Sequence, residues 1–151
     1  MKTVLVALDF SDLSQKVLQV AGELAGATKS KVVLLHVVEP LASYVPVGAS
    51  MDVIATPPPP IEPEDTKGPE ERLNKEAEKL RAEGVEVETS VIIGLAVDDI
   101  LAQTDALGAD YLVVGSHGHG ALYHLFSGSV VTGILKRAKS TVVVVPASKH
   151  K

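Results

Sequence analysis

The sequence predicts an α/β fold: a single open five-stranded parallel sheet with helices on both faces. Two observations carry this prediction. Val4 to Leu8, Val32 to Val38, Tyr111 to Val114 and Val142 to Val145 are runs of β-branched and aliphatic residues, broken only by His36 and Tyr111, as expected for strands covered on both faces. Segments of helical period separate the strands in the order β-α-β-α-β-α-β-α-β, which calls for right-handed crossovers. The 151 residues are expected to form one domain, 1–151, able to bury about two-thirds of the unfolded surface without disulfides or metal.

Each element follows from local chemistry. MKTVLVALDFSD opens with an apolar run too short to span a bilayer, and acids follow at once, so it reads as a first strand rather than a leader. Ser11 can cap a first helix carrying Leu13, Val17, Val20, Ala21 and Leu24 on one side and fading near Gly26. A second helix begins around Pro69, presents Leu73, Ala77 and Leu80, and stops at Gly84. Val85 to Ile93 starts in apolar-polar alternation and suits a strand at the edge of the sheet. Val97, Ile100, Leu101 and Thr104 mark a third helix ending near Gly108, and Val130, Ile134 and Leu135 mark a fourth.

Pro40 to Gly68 breaks the rhythm. With Pro69 it holds eight of the nine prolines, including Pro57 to Pro60, and it is expected to be a loop acting as a spacer or lid, with docking of a proline-binding partner as the alternative.

Composition excludes several functions. There is no cysteine, which removes thiol catalysis and cysteine-based zinc sites and fits a reducing, cytoplasmic setting. A formal net charge of -5 with no basic block argues against nucleic acid as a partner, and no segment calls for membrane insertion. A P-loop would need G-x4-G-K-[ST], a dinucleotide fingerprint would put glycines where DFSD follows the first strand, and no G-x-S-x-G surrounds Ser116 or Ser129.

The segment GSHGHGALYHLFSGS holds Gly115, Gly118, Gly128 and Ser129 in the pattern G-x2-G-x9-G-S, between an apolar strand and a helix. Glycines let backbone N–H groups close around an anion, and a helix starting near Gly128 adds unpaired donors and the positive end of its dipole. The competing reading is a surface loop whose glycines serve as turns and caps. His117, His119 and His124 also lie here, in contact with solvent or phosphate rather than ligating a dedicated metal, since no carboxylate stands between them. His36, inside an apolar strand, reads as a packed residue with one hydrogen bond.

This glycine motif, together with VALDFSDLS, LLHVVEP and the closing TVVVVP, resembles the universal stress protein family in its ATP-binding branch, and the resemblance covers nearly the whole chain. It implies the strand order 3-2-1-4-5 of that adenine nucleotide alpha hydrolase-like fold, with the first and fourth strands adjacent where the order reverses. It also implies a site. Asp9 resembles the carboxylate that binds the adenosine part of the ligand, Val37 the residue whose backbone reads the adenine edge, and Ala7 a wall of the base pocket. Gly115, Gly118, Gly128, Ser129 and Val130 match positions holding ribose and phosphates, with Ser116, His117 and His119 in the same loop. Ser11 is placed either on a phosphate or at the helix cap. The family often carries Arg or Lys after the first glycine, whereas no Lys or Arg lies between Gly115 and Ser129 here, so triphosphate charge is left to backbone dipoles and a divalent ion, Mg or Mn.

The function expected is that of an adenine-nucleotide (ATP or AMP) binding stress-response or regulatory protein, a sensor with at most weak ATP hydrolysis or autophosphorylation. The alternatives are a nucleotide-independent dimeric interaction module and a slow metal-dependent ATPase or autokinase. A fifth strand at the sheet's edge, Thr141 to Val145, would expose backbone between valines, and pairing with a second copy to form a homodimer would cover it. A further protein partner is expected but not identified by the sequence.

Overall fold

Apolar runs of this length are stable only when both faces are covered, and in the computed structural model, which describes residues 1–40, 66–116 and 129–147, they are. The elements are β1 (Thr3–Ala7), α1 (Ser14–Thr28), β2 (Lys31–Val38), α2 (Lys67–Ala82), β3 (Val87–Ile93), α3 (Ala96–Ala106), β4 (Tyr111–Gly115), α4 (Ser129–Arg137) and β5 (Thr141–Val145). The strands form one sheet in the order β3-β2-β1-β4-β5, with every neighbouring pair parallel. Both the predicted order and the edge position of the third strand are thus observed.

Successive strand residues point to opposite faces, so each strand feeds two cores. Val4 and Val6 of β1 and Val32 and Leu34 of β2 pack with α1 and α2 through Val17, Leu18, Leu73 and Ala77. Leu5, Val33 and Leu35 pack on the other face with Ile100 and Leu101 of α3 and Ile134 of α4. Val4, Leu5 and Val6 are completely buried, and each contributes about 1.5–3 kcal/mol of burial. Asp110 ties the start of β4 to β1: its Oδ2 accepts the Thr3 N–H at 2.8 Å while its own N–H donates to the Thr3 carbonyl at 2.9 Å.

Three boundaries differ from the sequence expectation. α1 runs past Gly26 to Thr28, because Ala25 is held in the core, the Thr28 hydroxyl donates to the Leu24 carbonyl at 2.7 Å, and Lys29 closes the helix with a left-handed φ of 54°. The expected loop Pro40 to Gly68 is shorter at its far end, since Lys67 and Gly68 already belong to the first turn of α2, where Pro69 is tolerated. Residues 41–65 of that loop lie outside the described residues. Finally, α1 begins at Ser14 with Leu13 at the N-cap, so Ser11 is not its capping side chain. Among the described residues, no helix is long and apolar enough to cross a membrane.

Candidate functional site

β1 and β4 lie side by side, yet the helix after β1 packs in one core and the helix after β4 in the other. The chain therefore parts to opposite faces at their carboxyl ends and leaves a crevice there, the usual ligand position in a doubly wound sheet. Ala7, Leu35 and Val114 form its floor; Leu13 and Val17 wall it on the α1 side, and Ala96, Ile100, Val130 and Val131 on the α3 and α4 side.

Of the sequence-predicted site residues, Ala7, Asp9, Ser11, Val37, Gly115, Ser116 and Val130 line this crevice. His117, Gly118, His119 and Gly128 lie outside the described residues, as does His124, and Ser129 enters only as the first residue of α4.

Asp9 shapes the turn after β1. Its Oδ1 accepts the Ser11 N–H at 2.9 Å and stands 3.5 Å from the Ser14 hydroxyl, so the carboxylate supports the entry to α1 in place of the expected Ser11 cap. Oδ2 makes no hydrogen bond among the described residues. The next residue, Phe10, has a φ of 59°, a left-handed conformation that a non-glycine residue holds only when its surroundings compel it.

Val37 follows from strand geometry. Lys31 donates its N–H to the Lys2 carbonyl and Leu35 accepts the Leu8 N–H, so the backbone groups of odd-numbered β2 residues point toward β1. The register ends at Ala7 opposite Leu35. Val37, two residues on, thus turns its N–H and C=O into the space that β1 has vacated. The Leu8 carbonyl, the last on that side, is engaged by His36 Nδ1 at 2.7 Å.

His36 is the packed histidine expected, and it also borders the crevice. Burial pushes its pKa below the ordinary value, although the Leu8 carbonyl and the charge of Asp9 favour the proton; Arg72 opposes it. The neutral ring donates Nδ1–H to Leu8 and lies 4.4 Å, centroid to centroid, from the Phe10 ring.

Gly115 has a packing role that its sequence motif did not disclose. A Cβ there would stand 2.8 Å from Leu13 Cδ2 and 3.3 Å from Val17 Cγ2. The glycine lets α1 close over the end of β4. Ser116 is pinned to β5 and its exit: its N–H donates to the Val145 carbonyl at 2.9 Å and its hydroxyl oxygen accepts the Ala147 N–H at 3.3 Å.

Glu39 and Asp99 had given no sequence signal. Glu39 Oε1 accepts the Ala96 N–H at 2.9 Å and Asp99 Oδ2 accepts the Leu95 N–H at 2.7 Å, so the positive end of α3 is already met by carboxylates. Glu39 reaches it only because β2 and β3 pair up to Val38 and Ile93. Among the described residues, no group of three His, Asp or Glu could hold a metal ion.

Three known proteins resemble this chain along much or all of its length. Universal stress protein A homolog 2 of Coxiella burnetii is 32% identical, with 95% of this chain and 94% of that protein covered. Universal stress protein MJ0577 of Methanocaldococcus jannaschii is 29% identical over 54% of this chain, which spans about half (49%) of that relative; in three dimensions it superposes with a TM-score of 0.78 at 20% identity, covering 99% and 98% of the two chains. A universal stress protein solved in complex with cAMP superposes with a TM-score of 0.70 at 25% identity, covering 97% and 98%. The sequence profile of the universal stress protein family matches residues 1–146, and the chain belongs to that family.

Proposed function

We propose that the crevice binds an adenine nucleotide, ATP or AMP, and that the protein is a cytoplasmic stress-response or regulatory sensor of the family's ATP-binding branch. The observation that carries this reading is the pair formed by Val37 and Asp9. Past the last rung of β1 and β2, a backbone donor and acceptor face the crevice, and a carboxylate whose Oδ2 makes no hydrogen bond among the described residues stands beside them. Such a donor–acceptor edge suits the hydrogen-bonding edge of a purine, and a carboxylate suits sugar hydroxyls. The apolar surfaces of Ala7, Val114 and Ile100 suit the faces of the base.

Charge supports one orientation. The start of α3 is occupied by Glu39 and Asp99, which repel phosphate, whereas the first turn of α4, from Ser129, contains no acid. Phosphates are therefore assigned to the backbone of Gly115, Gly118, Gly128, Ser129 and Val130, with Ser116, His117 and His119 as further donors and Mg or Mn accompanying a triphosphate. The solved relative in complex with cAMP adds support for an adenine ligand.

Isothermal titration with ATP, ADP, AMP and cAMP tests the reading. Binding of at least one is expected, weakened tenfold or more, about 1.4 kcal/mol, by Asp9→Ala. Absence of heat with all four ends it.

The free edge of β5 supports a second surface. Ser116 donates to the Val145 carbonyl, so Thr141, Val143 and Val145 direct their backbone groups to β4, while Val142 and Val144 direct theirs outward. A homodimer paired along Thr141–Val145 would satisfy them, and nucleotide occupancy would be reported through that dimer or a further protein partner.

A further inference from the structure

The turn that carries Asp9 is gripped from the opposite side of the sheet to α3 and α4. Phe10 has its left-handed φ of 59° immediately after Asp9. Its ring meets two groups from separate elements: the imidazole of His36 on β2, 4.4 Å away and tilted by 36°, and the guanidinium of Arg72 on α2, whose Cζ lies 4.1 Å from the ring centroid. His36 in turn holds the Leu8 carbonyl, one residue before Asp9. Both neighbours of Asp9 in sequence are therefore clamped, one by a hydrogen bond and the other by an aromatic and cationic contact. Among the described residues, the carboxylate between them has one short hydrogen bond, from the Ser11 N–H at 2.9 Å, besides the Ser14 hydroxyl at 3.5 Å. A second hollow beside the crevice shares Leu8, Ser11 and Ser14 with it and contains Phe10 and Arg72, so the turn is the partition between the two.

We infer that Arg72 is a positioning residue for the ligand carboxylate: by packing its guanidinium on Phe10 it holds the left-handed turn that presents Asp9 to the crevice, and so couples α2 to ligand affinity. The inference rests on the nucleotide reading above. Its physical basis is that a left-handed phenylalanine persists only while its ring is retained, and a guanidinium over an aromatic face supplies retention without filling the crevice itself. Arg72 is chosen over Lys75, one turn further along α2 and also beside the second hollow, because it is Arg72 that contacts the ring.

The wild-type chain, Arg72→Ala, Arg72→Lys, Lys75→Ala and Phe10→Gly are titrated with ATP and AMP, with thermal unfolding of each as the check on folding. Phe10→Gly keeps the left-handed backbone accessible while deleting the ring. Arg72→Ala and Phe10→Gly are expected to weaken binding about three- to tenfold, with Arg72→Lys recovering most of the loss and Lys75→Ala at wild-type affinity. If the wild-type chain binds neither nucleotide, the nucleotide reading falls and this inference with it. If wild type binds and Arg72→Ala binds equally well, or Lys75→Ala loses as much as Arg72→Ala, the inference alone is overturned.

Discussion

Leu13 lies across Gly115 so closely that a Cβ on the glycine would stand 2.8 Å from Leu13 Cδ2. The first glycine of the phosphate-type motif is thus also the point where α1 seals the end of β4. Gly115→Ala is expected to destabilise the fold by about 1–3 kcal/mol through overpacking, read as a lower urea midpoint. Adding Leu13→Ala to the same chain should return part of that loss, because the added methyl then occupies vacated space. Simple additivity of the two changes would show that the contact is not the cause.

Gly94 and Asp99 stand in a similar relation at the entry to α3. A Cβ on Gly94 would land on the Asp99 carboxylate, which accepts the Leu95 N–H at 2.7 Å. Gly94→Ala should displace that carboxylate and cost about 1 kcal/mol of capping, visible as a lower Tm. An unchanged Tm would mean that the helix start tolerates the loss.

His36 makes stability depend on pH. Burial holds its folded-state pKa below the unfolded value. Above the unfolded value neither state is protonated, and the residue contributes no slope. As pH falls through the unfolded value only the unfolded chain takes up the proton, so stability declines until the folded-state pKa is passed. Comparing urea midpoints at about pH 7.5 and about pH 5, His36→Gln should show a shallower decline than wild type, whatever its absolute stability. Equal slopes in the two proteins would contradict the assignment.

The outward-facing amide of Val144 offers a direct test of pairing along β5. Proline there removes a donor directed to the free edge and leaves the bonds to β4 in place. Sedimentation velocity at micromolar concentration is expected to give a dimer for wild type and a monomer for Val144→Pro, with the circular dichroism spectrum retained. A monomeric wild type removes the proposed dimer.

Much of this protein is legible along the chain. Runs such as Val32 to Leu35 read as buried parallel strand, because a strand covered on both faces is apolar at successive positions, and the helices between the strands reveal themselves by spacing alone. The pairing order of strands leaves no local trace, and it was a family resemblance, not periodicity, that supplied it. Asp9 and Gly115 stood out by residue type and by that resemblance, but their neighbours at the site did not. Leu13 looks like any helical leucine, Phe10 and Arg72 are 62 positions apart, and Glu39 serves a helix 57 residues away. Sequence determines which segments are strands and which are helices, since these follow from short-range sterics and hydrophobic period. Only the tertiary structure decided that the Asp9 carboxylate rather than a Ser11 cap supports the entry to α1, that Glu39 joins Asp99 at the start of α3, and that Val37 faces the crevice, since these depend on how the turns and strands are set against one another across the sheet.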